Sequence, residues 1–216
     1  MYDLNLSLGL PTPWGGHDIF VYAPTMLAPG GACIEIVQVY RRLNGGATTG
    51  KLFGLWDWCV QNRFVVLQPQ VTAWTDRYLR TYQGKPMYAV SIVTANTGST
   101  FGQCWYANLY DYLLGGWTQL LQACGTPLHG FMATGWTMWE SWWLTNGACP
   151  NMPSIRSLDI KFYDPQSSTA LPFTNFPTDY STLGPFGSCW PGGQYTFDSP
   201  VPGQGANSWR GNTPNP

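Results

Sequence analysis

Cys104-Trp105-Tyr106-Ala107-Asn108-Leu109-Tyr110-Asp111-Tyr112, a Leu114-Gly115-Gly116 turn, and then Trp117-Thr118-Gln119-Leu120-Leu121-Gln122 carry the clearest β pattern in the chain. Side chains along a strand point to alternate faces, and 104–112 alternates in this way. A glycine pair between two such runs is a hairpin signal. Cys104 and Cys124 flank the hairpin, and a disulfide between them is expected. Working outward, β-type runs recur at 18–22, 33–40, 51–59, 63–68, 87–95, 131–143 and 155–163. Turn residues such as Asn44-Gly45-Gly46 lie between them. Ala73–Tyr82 carries Trp74, Tyr78 and Tyr82 at a spacing of four and fits a helical turn, but its β-like neighbours favour an irregular strand. Many short strands with glycine turns and no long helix predict an all-β, antiparallel two-sheet sandwich or jelly roll. No repeat period is present. One domain, 1–216, is expected, with the Pro-, Gly- and Ser-rich residues 165–216 as an irregular C-terminal wrap.

The chain of 216 residues is long enough for a sizeable core, and its 44% hydrophobic content is that of a globular domain. Charged residues are only 10%, and Lys+Arg (10) almost balances Asp+Glu (11) for a net charge of −1. With no basic stripe to displace counterions, nucleic acid is not an expected partner. No apolar run reaches the length of a membrane span, so no membrane partner is expected either. Few titrating groups leave little stability to lose in acid. Six cysteines, an even number, suit three disulfides in an oxidising, extracellular setting. Beside Cys104–Cys124, the pairs Cys33–Cys59 and Cys149–Cys189 are expected, among the fifteen pairings that six cysteines allow. The opening Met1-Tyr2-Asp3 reads as a mature secreted domain behind a removed leader. With two histidines, His17 and His129, and no C-x-x-C, no metal or other cofactor is expected.

The chain owns two glutamates. Glu140 sits in Gly135-Trp136-Thr137-Met138-Trp139-Glu140-Ser141-Trp142-Trp143, and Glu35 in Cys33-Ile34-Glu35-Ile36-Val37-Gln38-Val39-Tyr40. By alternation Glu140 shares a face with Trp136, Met138 and Trp142, and Glu35 with Cys33, Val37 and Val39. Gln38 lies opposite Glu35, and Asp57 opposite Trp56 and Trp58. Core packing accounts for several of the 12 tryptophans, but twelve exceed what one such core needs, so some should line a cleft. An acid among aromatics is either a hydrogen-bonded strand residue or a reactive group in a groove. Two acids in one groove support either glycoside hydrolysis or acid proteolysis, each needing one charged and one protonated carboxyl.

Ile34-Glu35-Ile36-Val37-Gln38-Val39, Lys51-Leu52-Phe53-Gly54-Leu55-Trp56-Asp57-Trp58-Cys59 and Asn62-Arg63-Phe64-Val65 together resemble the neprosin-type glutamic peptidases. That family places a second glutamate roughly a hundred residues after the first; here the interval is 105. The chain is also similar to the eqolisin glutamic peptidases, which use a glutamine and a glutamate; there Gln38 would stand in for Glu35, and Glu140 is common to both. The resemblance implies a concanavalin A-like sandwich and a secreted, acid-active endopeptidase with Glu35 and Glu140 as catalytic pair. Gln38, Trp56, Asp57, Trp58, Trp136 and Trp142 would line its substrate groove. An extended peptide is then the expected partner of a monomeric enzyme. A polysaccharide, met by a lectin-like module or a glycoside hydrolase, is the alternative.

Overall fold

The computed structural model describes residues 2–3, 19–27, 34–42, 49–57, 63–69, 71–96, 103–124, 136–143, 155–164, 169–172, 196–198 and 209–212. Side chains are described over 34–38, 52–57, 71–93, 104–124 and 157–161, and at 65 and 69. In chain order the elements are β1 (Tyr2–Asp3), β2 (Ile19–Leu27), β3 (Ile34–Arg42), β4 (Thr49–Asp57), β5 (Arg63–Pro69) and α1 (Thr72–Tyr78). Then come β6 (Leu79–Tyr82), β7 (Lys85–Tyr88), β8 (Val90–Asn96), β9 (Gln103–Asp111), β10 (Gly116–Cys124) and β11 (Trp136–Trp143). β12 (Ile155–Ser157), β13 (Lys161–Asp164), β14 (Thr169–Pro172), β15 (Thr196–Asp198) and β16 (Trp209–Asn212) complete the described residues. They form antiparallel sheets in the orders β11-β2-β3-β4-β5, β15-β16-β12-β1-β7-β6, β10-β9-β8 and β13-β14.

The five-stranded sheet is built around β3, whose Ile34, Ile36 and Val37 are β-branched and suit a crowded pleat. Residues 34–38 are all buried at both parities, so β3 is covered on both faces. One of these faces is described. Phe53, paired with Gln38, packs its ring 5.8 Å from Trp74 and 5.7 Å from Tyr88. The ladder of this sheet is irregular in β2 and in β5. β2 jumps from Tyr22 to Thr25 where β3 passes from Val39 to Val37 and β11 from Glu140 to Met138. β2 therefore bulges by one residue at Ala23-Pro24, where a proline with no N–H to donate does least harm. Between β4 and β5 the extra residue is Val65, half-exposed at 39%.

The stretch expected as an irregular strand over 73–82 is instead a helix, α1, followed by a strand, β6. The spacing of four carries the reason. Trp74 and Tyr78 sit one turn apart with ring centroids at 4.5 Å, a side-chain pair available only on a helix. Arg77 in the last turn suits the negative helix end, and Leu79 ends the helix by taking extended dihedrals. The strand expected over 87–95 divides at Ala89, whose carbonyl accepts the Tyr110 amide at 3.0 Å. β7 then joins β1 and β6, while β8 joins β9. The strand expected over 155–163 breaks at Asp159, which adopts φ +53°, next to Leu158 buried against Met87. From the expected wrap, β15 and β16 pair with each other and β16 with β12, so that segment supplies sheet strands.

The hairpin β9–β10 forms as the alternation required, with Cys104 opposite Cys124 and a disulfide joining them. At the other end Asp111, fully buried, clasps the turn. One carboxylate oxygen accepts the Leu113 and Leu114 amides at 3.0 and 3.1 Å; the other accepts Arg77 Nε. Burial pushes the Asp111 carboxyl up, but the hydrogen bonds from Arg77, Leu114 and Leu113 and the Arg77 charge together hold it below the ordinary carboxylate range. Gly115 takes φ +68° at no steric cost, as this turn requires. Cys33, Cys59, Cys149, Cys189, His17, His129 and Asn44-Gly45-Gly46 lie outside the described residues.

Candidate functional site

Both glutamates belong to the five-stranded sheet, Glu35 on β3 and Glu140 on β11, with β2 between them. Register lines up Trp136, Leu27, Glu35, Trp56 and Phe64 across the five strands. A second row runs Glu140, Tyr22, Val39, Leu52 and Pro69. Because the extra residue is on β2 alone, β3 and β11 stay in phase, and Glu35 and Glu140 occupy equivalent positions of the pleat. They are not adjacent. Two strand spacings of about 4.8 Å and four residues at about 3.3 Å place their Cα atoms roughly 16 Å apart. Side chains of glutamate length can shorten that only to about 9 Å.

Glu35 is 4% exposed. Burying a carboxyl group so far from water is costly unless it meets a partner, and Glu35 is not without one. Trp56, its direct partner on β4, is half-buried and in phase with it. Trp136 closes the same row two strands away, and Trp142 lies six residues further along β11. Asp57 is buried at 5% and paired with Ile34 and Arg63, out of phase with Glu35. Trp58 lies outside the described residues.

Gln38 is placed differently. It is fully buried, out of phase with Glu35, and cross-strand from Phe53 in the layer that meets Trp74 and Tyr88. Neither its amide nitrogen nor its amide oxygen meets a hydrogen-bond partner among the described residues. In the same layer burial drives the Tyr88 hydroxyl well above the ordinary tyrosine range; the nearby Trp74 indole moderates the push without completing a hydrogen bond.

The sequence did not single out Trp74, Arg77 and Tyr78 as a wall. With Pro69, Val71 and Ala73 they line an open cavity of about 430 Å³ beyond β5, the edge strand opposite β11, and neither glutamate takes part in it. The spacing of four in this stretch was the available signal, and it required accepting a short helix among strands. Arg77 is held here by Asp111 and lies 5.5 Å from the Tyr78 ring centroid. Among the described residues no three His, Cys, Asp or Glu side chains gather as a metal site, and no helix is long and apolar enough to cross a membrane.

No protein-family model, curated protein or solved structure matches the chain.

Proposed function

We propose that the chain is a secreted, acid-active hydrolase of extended polymers, a glutamic endopeptidase first, with Glu35 and Glu140 as its catalytic carboxyls. The reading rests on one observation: the chain's two glutamates stand in phase on one sheet, with Trp56 and Trp136 in the row of Glu35. In this proposal the five-stranded sheet is one layer of a two-sheet sandwich. The double-sided burial of β3 and the packing of Phe53 on Trp74 and Tyr88 support that arrangement. The Cys104–Cys124 disulfide supports an oxidising, extracellular setting.

A separation of about 9 Å at closest reach excludes a single shared proton and leaves room for a substrate segment between the acids. One carboxylate then activates water and the other, protonated, donates to the leaving amine; the low pH keeps one of each form. The same separation favours a second reading. Inverting glycosidases hold their carboxyls about 6.5–9.5 Å apart with the water on the far side of the sugar ring.

Glu140→Gln and Glu35→Gln, each assayed on casein and on β-glucan and xylan at about pH 3–4, separate these readings. Loss of proteolysis in both variants supports the peptidase, and loss of glycan cleavage supports the glycosidase. Full activity in both variants on either substrate removes the pair from the chemistry.

A further inference from the structure

The outward face of β8-β9-β10 has a composition that the hydrolase reading leaves unused. Along β9 the inward positions Trp105, Ala107 and Leu109 are buried, so the intervening residues face out. Pairing arranges these outward residues in rows across the strands. At the turn end Trp117 stands beside Tyr110, and in the middle Gln119, Asn108 and Ser91 line up. Toward the disulfide, Gln122 and the exposed Val93 stand on either side of Tyr106. Aromatic rows thus bracket an amide and hydroxyl row, with about 13 Å between the outer two.

Trp117 is 54% exposed, Gln119 and Gln122 are exposed, and Tyr106, Asn108 and Tyr110 are half-exposed. The Trp117 and Tyr110 ring planes meet at 89° with centroids 5.4 Å apart, which fixes the indole in place. Residues 90–96, 103–110 and 116–124 contain no Asp, Glu, Lys or Arg. The one charged residue of the hairpin, Asp111, is buried and bound to Arg77.

We propose that this face binds a neutral polysaccharide. Apolar ring faces of sugars stack on Trp117 and on the exposed parts of Tyr110 and Tyr106, and the Gln119–Asn108–Ser91 row meets hydroxyls with groups that both donate and accept. The strands of this face carry no counter-charge for a charged polymer; the nearby cation, Arg80, stands over Tyr112 at its turn end, 4.9 Å from that ring. A peptide strand would pair its backbone along an outer strand, β10 or β8, rather than stack on this face. The proposal does not depend on the two glutamates. It assigns to a hydrolase of either class a separate surface that keeps it on a glycan matrix.

The test is pulldown on insoluble cellulose, β-glucan and xylan, with affinity electrophoresis in their soluble forms. It compares the full chain with Trp117→Ala, Gln119→Ala and the double variant Glu35→Gln/Glu140→Gln. Retention on at least one neutral glycan is expected, about tenfold or more weaker in Trp117→Ala. Gln119→Ala should weaken it less, and the glutamate double variant should leave it unchanged even as hydrolysis is lost. Salt should matter little, because no charge pair is screened. Both surface variants should melt with the parent, since neither side chain is core. Retention equal to the parent in Trp117→Ala overturns the proposal, as does failure on every neutral glycan. So does partition into phosphatidylcholine vesicles that disappears in Leu113→Ser/Leu114→Ser, which would assign the exposed turn, with its leucines 69% and 70% exposed, to lipid instead.

Discussion

Replacing Gln38 by methionine should make the protein more stable, against the usual direction for a core substitution. The side chain is fully buried and neither amide atom is partnered among the described residues, while its surroundings are Phe53 and the aromatic layer beyond. Burying an unpartnered amide costs about 1–3 kcal/mol on the mutational scale. Methionine has nearly the same length and shape, is flexible, and carries no such group, so repacking should take back less than about 1 kcal/mol. The net gain expected is about 1–2 kcal/mol, or about 2–8 °C in Tm for a chain of this size. Urea unfolding followed by tryptophan fluorescence and by far-ultraviolet circular dichroism would measure it, with unchanged m as the check that only stability moved. Destabilisation by about 1 kcal/mol or more would refute the reasoning, because it would mean that the amide is hydrogen-bonded in the folded protein. Under the proposed function, hydrolysis should be unaffected, since Gln38 is out of phase with both glutamates. A stable variant that has lost activity would put Gln38 into the chemistry, as the eqolisin resemblance implies.

Replacing Cys104 and Cys124 together by serine opens a loop with a sequence separation of 20 and should lower stability by about 3 kcal/mol on the chain-entropy account, read as a fall in the urea midpoint. A loss under about 1 kcal/mol would show that the paired strands already hold the hairpin in the unfolded ensemble. The Asp111 clasp makes a pH-dependent contribution of definite sign. Its folded pKa is depressed, so the contribution is complete above the ordinary carboxylate range and is lost as pH falls through the folded value. Melting temperature in the parent should therefore drop through the region below about pH 4, with a shallower slope in Asp111→Asn; identical slopes would contradict the assignment.

How legible the molecule was in its sequence varied with the range of the determining interaction. The hairpin and its disulfide could be read because alternation, glycine turn and flanking cysteines all lie within a span of about twenty residues. The phase of Glu35 against Gln38 was likewise local, a matter of pleat. The helix at Trp74 was missed because it competed with β-like neighbours, and the Trp74–Tyr78 pair outweighed them. Nothing local showed that β7 and β8, one residue apart, would enter different sheets; β7 pairs with β1 at the far end of the chain, while from Ala89 onward the backbone bonds to β9. The candidate site was legible in the same limited way. Parity could place each glutamate on a face of its own strand, but whether the two strands shared a sheet, and how far along it the acids stood, depended on pairing through β2.

The single extra residue of β2 has a consequence for anyone altering or comparing this chain. Strand β2 is read in one phase from Ile19 to Tyr22 and in the other from Thr25 to Leu27, and Ala23-Pro24 is the hyphen between them. Deleting one residue there would smooth the ladder and leave both halves of β2 on their present faces, because the extra residue is what the bulge absorbs. A related chain lacking that residue would therefore be expected to keep the polarity of each half and to show one unbroken alternation. Positions before and after the hyphen are best aligned separately, each half matched by the side of the sheet it serves.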